Sequence, residues 1–102
     1  MEVPRRSSAR PNVDRQALTL REEGRSFAAI ARALGLKRAA DAREAFLREL
    51  RSRPDDERET VVEHEVARLD ELEARIRTRD AREPGRLETR LGALAAMRAN
   101  LP

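Results

Sequence analysis

Gly35 separates two short stretches whose apolar residues recur at helical spacing, and this punctuation constrains the fold more than any other feature of the chain. Ahead of it, Phe27, Ile30, Ala31 and Leu34 fall on one side of a helix, with Ser26 placed to cap its start. Beyond it, Ala39, Ala42, Phe46, Leu47 and Leu50 line the inner side of a second helix, expected from about Arg38 to Arg51. A glycine at the junction supplies the positive φ that a tight turn requires. Before both lies a third pattern, from about Val13 to Glu23, with Val13, Ala17, Leu18 and Leu20 inward. Asn12 or Asp14 can cap that helix, and Gly24 suits its C-terminal end. Residues 13–53 therefore predict three short helices folded into one small domain.

The second half follows a longer rhythm. Pro54 ends the third helix, and Asp55, Asp56 and Glu57 suit the positive N-terminus of a fourth, expected over 55–79. Val62, Val66, Leu69, Leu72 and Ile76 form its apolar stripe. A strict heptad would place Glu73 in the seam, which argues against a long coiled coil. The run Asp80 to Gly85 reads as a turn, with Pro84 acceptable at the first position of a last helix. Leu87, Leu91, Leu94, Met97 and Leu101 give that helix one stripe, and Gly92, Ala93, Ala95 and Ala96 make it slim. A short connection makes the pair an antiparallel hairpin over 54–102. The expected fold class is all-α: an N-terminal three-helix unit followed by a helical hairpin.

Composition removes several function classes. Two Phe with no Tyr and no Trp leave nothing to stack on bases, which argues against RNA-binding sheets and single-strand platforms. Without cysteine there is no disulfide and no Cys-ligated zinc. His64 is the only histidine and cannot form a structural zinc site with its helical neighbours, so neither metal nor cofactor is expected. No Ser-His-Asp set, phosphate-cradling loop or His-Glu-x-x-His motif is present, and the chain reads as non-enzymatic. No apolar run reaches membrane-spanning length, so no membrane association and a cytoplasmic location are expected.

Charge divides along the chain. Residues 1–53 hold 13 Lys and Arg against 7 Asp and Glu, a balance of +6; residues 54–102 hold 9 against 12, or −3, together the +3 of the whole. Contact with a polyanion is thus expected from the first half alone. Residues 1–12 (MEVPRRSSARPN) carry Arg5, Arg6 and Arg10 with little to bury, and read as a flexible basic arm.

The stretch GRSFAAIARALGLKRAADAREAFLREL, residues 24–50, resembles the helix-turn-helix of resolvases, invertases and sigma-factor-like domains. Their second helix often reads Gly-x-Ser-x-x-x-Ile-Ala-x-x-Leu-Gly, and Gly24, Ser26, Ile30, Ala31, Leu34 and Gly35 match it in register. The match covers about a quarter of the chain. It implies double-stranded DNA as partner, with the helix after Gly35 in the major groove. Where that motif usually holds a β-branched apolar residue, this chain has Asp41, and the apolar positions fall one step later, at Ala42 and Phe46.

From these patterns the expected DNA-contacting residues are Arg5, Arg6 and Arg10 on the arm, Arg25 and Ser26 at the second helix, and Lys37, Arg38, Asp41, Glu44 and Arg48 on the third. Asp41 and Glu44 could accept from cytosine amino groups or orient an arginine towards guanine; Asp41 could equally pair with Arg38 or Lys37 on a solvated surface. Val62, Val66, Leu69, Leu72, Ile76, Leu87, Leu91, Leu94 and Met97 are expected to join copies into a homodimer or higher oligomer. The leading expectation is a dimeric transcription regulator or chromosome-organising protein. The layout also resembles small terminase subunits of phage-like packaging machines, although the chain is short for them. A protein-interaction module docking on polymerase or another protein is the third reading.

Overall fold

The computed structural model describes residues 4–102, with side chains from Asn12 onward. It is all-α: α1 Pro4–Glu22, α2 Phe27–Leu34, α3 Ala39–Ser52, α4 Asp55–Arg79 and α5 Pro84–Ala99. The chain divides into two compact units, Met1–Arg58 and Glu59–Pro102. Helix α1 begins well before the expected Val13. Pro4 at its first position loses no hydrogen bond, and the arginines and Ala9 that follow are good helix formers. Pro11, lacking an N–H, leaves one gap in the ladder.

In the first unit, α1 and α2 both pack on α3. Ala17, Ile30, Ala42 and Leu50 are fully buried, and Leu18, Phe27, Ala31, Ala45, Phe46 and Leu47 nearly so. The alanines allow close helix approach, and the larger side chains fill the space between. Phe27 and Phe46 meet with centroids 5.6 Å apart and rings tilted by 56°, an arrangement favoured by the aromatic quadrupole. The Arg21 guanidinium lies 4.0 Å over the Phe27 ring and donates through Nη1 to the Arg25 carbonyl at 3.0 Å. This buried arginine ties the end of α1 to the start of α2. Two details of the sequence reading change here. Ala39, expected inward, is exposed because it opens α3 beyond the reach of its neighbours, and Ala45 is buried in its place.

In the second unit, Leu69, Ile76 and Leu94 form the buried cluster, with Leu87, Leu91, Met97 and Leu101 packed against it. The covered side of α4 runs through Val61, Glu65, Leu69 and Ile76. The expected stripe is corrected at three positions: Val62 is half-buried, and Val66 and Leu72 are exposed. Apolar periodicity could not anticipate that a carboxylate would occupy the covered side. Glu65 does so with Arg68 Nη1 donating to its Oε1 at 3.0 Å, since a buried charge is tolerated when paired. Glu73 stands partly covered between two arginines: Arg98 Nη2 at 2.8 Å and Arg77 Nε at 2.9 Å. Arg98 also reaches Asp70 at 2.8 Å, joining α5 to α4. In the connecting turn, Asp80 is buried 3.4 Å from Arg90 Nη1. Gly92, Ala93, Ala95 and Ala96, expected to permit close approach, face away from α4. All four are exposed, and a Cβ added at Gly92 would meet nothing within 4 Å.

Candidate nucleic-acid interface

The turn between α2 and α3 is fixed from both ends. At the start of α2, Ser26 is extended (φ −73°, ψ 157°), and its Oγ accepts from the Ala29 N–H at 3.1 Å. That satisfies one orphan donor of the first turn. At the other end, Gly35 is left-handed (φ 72°, ψ 25°), and the Leu36 N–H donates to the Ala31 carbonyl at 2.8 Å. This return bond closes the helix and redirects the chain. Arg38 is extended and precedes α3. Asp41 Oδ2 accepts the Arg38 N–H at 3.2 Å, so a carboxylate in the first turn stabilises the helix start. An arginine side chain has no acceptor, so the reciprocal half of a capping box is absent.

At 100° per residue, Ala40, Asp41, Glu44, Arg48 and Arg51 share the side of α3 opposite its buried face, while Lys37 lies in the turn before the helix. Asp41 is half-buried and the others are exposed. Ala39 and Ala40 are both exposed in the first turn, so the leading end of α3 carries no bulky side chain. Lys37 and Arg51 make no ion pair among the described residues. The Arg38 guanidinium is open to solvent, its Nη2 3.7 Å from Asp41 Oδ1.

Arg48 is the most constrained of the expected contacts. Its Nε donates to Asp14 Oδ2 and its Nη2 to Asp14 Oδ1, both at 3.0 Å, a two-pronged pair from α3 to α1. The Asp14 side chain is 14% exposed and that of Arg48 50%. The hydrogen bond donated to Asp14 holds the guanidinium pKa above its ordinary value against a smaller opposing desolvation, with the charges of Asp14 and Glu44 adding to the rise.

The expected contacts are thus unevenly distributed. Asp41, Glu44 and Arg48 share the outer side of α3, and Lys37 and Arg38 stand exposed in the turn just before it. Ser26 is committed to capping α2, and Arg25 lies across the α1–α2 connection, 3.8 Å from Glu23. Arg5, Arg6 and Arg10 lie outside the residues whose side chains are described. Arg51 and Ala40 were missed, although the helical periodicity of α3 places both on its outer side. The pairing of Asp14 with Arg48 had no sequence signal, because it joins residues 34 apart across two helices.

Several apolar residues expected to join copies have another place. Leu69, Ile76 and Leu94 are buried within the hairpin itself. Val66 and Leu72 remain exposed, while Val62, Leu87, Leu91 and Met97 are half-buried. Among the described residues, no group of three or more His, Cys, Asp or Glu is placed to hold a metal ion, and no helix is long and apolar enough to cross a membrane. No protein-family model, curated protein or solved structure matches this chain.

Proposed function

We propose that this protein binds double-stranded DNA through α3, with the leading end of that helix in the major groove. The observation that carries the reading is the surface entered through the Gly35 turn. Lys37 and Arg38 stand exposed beside two bare alanine positions at the start of α3. Small side chains let a helix lie close to base edges, where an alanine methyl suits the thymine methyl and Arg or Lys suits guanine. The excess positive charge of residues 1–53 supplies the attraction to phosphate.

The function best supported is a non-enzymatic regulator of transcription or organiser of the chromosome. The hairpin would join two copies, so that two α3 helices reach successive half-sites. Its exposed Val66 and Leu72, and the half-buried leucines of α5, are the surfaces available to a second copy. The experiment is titration of the full chain with mixed-sequence duplex across a salt series. Affinity should fall linearly with salt on logarithmic axes, because phosphate contacts release counterions. A chain that binds no duplex even at low salt overturns the reading. Light scattering on the same sample separates a dimer from a ring of many subunits, the latter favouring a packaging role.

A further inference from the structure

We propose that Asp14 is a positioning residue for DNA recognition, acting through Arg48; the inference rests on the DNA reading and deepens it. Asp14 lies on α1, outside α3 and off its outer surface. Its two oxygens take the Nε and Nη2 edge of Arg48 at 3.0 Å each. A guanidinium has five N–H donors in a rigid plane, and this pair uses two. Nη1 and the remaining Nη2 proton form the adjoining edge of that plane. That edge has no other hydrogen-bond partner among the described residues, and half of the side chain is exposed.

The arrangement does two things. It fixes the plane of a long, rotamer-rich side chain before any DNA arrives, so binding need not pay for ordering it. It also preserves a second two-donor edge, the shape that matches a phosphate or the O6 and N7 of guanine. Glu44, one turn earlier on α3, adds to the field that keeps Arg48 charged and in place. The carboxylate therefore organises the cation while leaving it a free recognition edge. A lysine could not serve here, since an ammonium is a point charge without a fork.

The test is a double-mutant cycle on the full-length protein. Wild type, Asp14→Asn, Arg48→Gln and the double variant are titrated with one mixed-sequence duplex over a salt series, and folding of each is followed by circular dichroism. Arg48→Gln should weaken binding and make the salt dependence shallower by about one phosphate contact. Asp14→Asn should weaken binding roughly two- to tenfold, the cost of ordering one freed side chain. It should have no further effect once Arg48 is replaced. Arg48→Lys should keep the salt dependence yet lose affinity, and it tests the same geometry should Asp14→Asn fail to fold.

Tighter binding by Asp14→Asn, with a steeper salt dependence, would mean that Asp14 masks Arg48, and would overturn the proposal. So would an Asp14→Asn variant of lowered thermal stability and unchanged DNA affinity, which makes the pair a purely structural brace. Additive effects of the two substitutions would have the same consequence. If the wild type binds no duplex, the DNA reading itself falls. If it binds and only Asp14→Asn disagrees, the DNA reading stands and this inference alone is lost.

Discussion

The two units of the chain solve the same problem with different materials. Residues 1–58 bury a continuous apolar interior, in which two phenylalanines, Ile30 and Leu50 interlock across three helices. The hairpin of residues 59–102 encloses a much thinner apolar cluster, built on Leu69, Ile76 and Leu94, and supplements it with ion pairs. Three helices can surround a core, whereas two can only cover one strip of each other. The first unit can thus support the recognition surface proposed on α3. The second keeps partly exposed leucines and exposed Val66 and Leu72, which leaves it material for association.

The hardest way to break this contrast is at Phe46. Its side chain is 1% exposed and meets Phe27. Phe46→Ala should destabilise the first unit by about 3–5 kcal/mol, enough to expose most of a small domain. With no tryptophan or tyrosine to report on either unit, hydrogen exchange resolved by region is the suitable measurement. Protection should collapse in α1, α2 and α3. If instead protection fell equally throughout α5, the division into two units would be wrong.

Leu94→Ala is the matching substitution in the hairpin. Leu94 is 3% exposed, but its surroundings are thin and free to close over the gap. The loss should lie near the lower end of the ~2–5 kcal/mol range for buried leucines, and protection should fall in α4 and α5 while α3 keeps its own. Because Leu94 is enclosed by its own hairpin, its loss tests the fold first and association only second. Leu72→Gln is the cleaner probe of association: it should leave the folding of the monomer nearly unchanged and weaken a dimer, if one forms, in light scattering.

Two glycines sharpen the contrast at smaller scale. Apart from adjoining residues and, for Gly92, the backbone of its own helix, neither Gly35 nor Gly92 has an atom within 4 Å of where a Cβ would stand. Gly35 has φ 72°, however, while Gly92 lies inside α5. Gly35→Ala should therefore cost about 1–2 kcal/mol through left-handed strain and should disturb the presentation of α3. Gly92→Ala should stabilise the hairpin by about 0.5–1 kcal/mol, the helix propensity of alanine over glycine. Thermal unfolding of the two variants should shift in opposite directions. A destabilising Gly92→Ala would show that something packs against that bare stretch of α5, a second copy being the first candidate to examine.

These differences also explain what could be read from the residues in order. The helix boundaries of α2, α4 and α5 were legible because their punctuation is local: Ser26 and Gly35, Pro54, and Pro84 each act within a turn of their own position. The inner side of α3 was legible from Ala42, Phe46 and Leu50, since an apolar side repeats with the helix. What could not be read is pairing at a distance. Nothing in the spacing tells that Arg48 is held by Asp14, or that Arg98 arrives from α5 to pair with Asp70 and Glu73. The exposed apolar residues of α4 were misplaced for the same reason: periodicity weighs a carboxylate as outward, and a paired carboxylate need not be. The role proposed for α3 rests on the resemblance of residues 24–50 and on its exposed outer side, and neither identifies a target.

The smallest expected effect concerns those ion pairs, and it separates the units by pH. The hydrogen bond from Arg98, then that from Arg77, hold the Glu73 carboxyl below its ordinary pKa of 4.5. The hydrogen bond to Asp70, then that to Glu73, raises Arg98 above its ordinary value. A carboxyl with a depressed folded-state pKa binds its proton more weakly in the folded chain than in the unfolded one. Its contribution is therefore fully present above the unfolded value and is lost as pH falls through the lowered one. Both partners face solvent, so the effect is small and is screened by salt. Glu73→Gln removes the titrating group while keeping an acceptor. The thermal midpoint of the wild type should exceed that of Glu73→Gln at neutral pH and low salt, and the gap should close as pH drops below the ordinary glutamate range. The difference belongs to the second unit, where Glu73 and both of its arginine partners lie. A gap that persisted unchanged into strong acid would mean that Glu73 supports the hairpin by packing its methylenes, and that the ion pairs are decoration on a strip the leucines already hold.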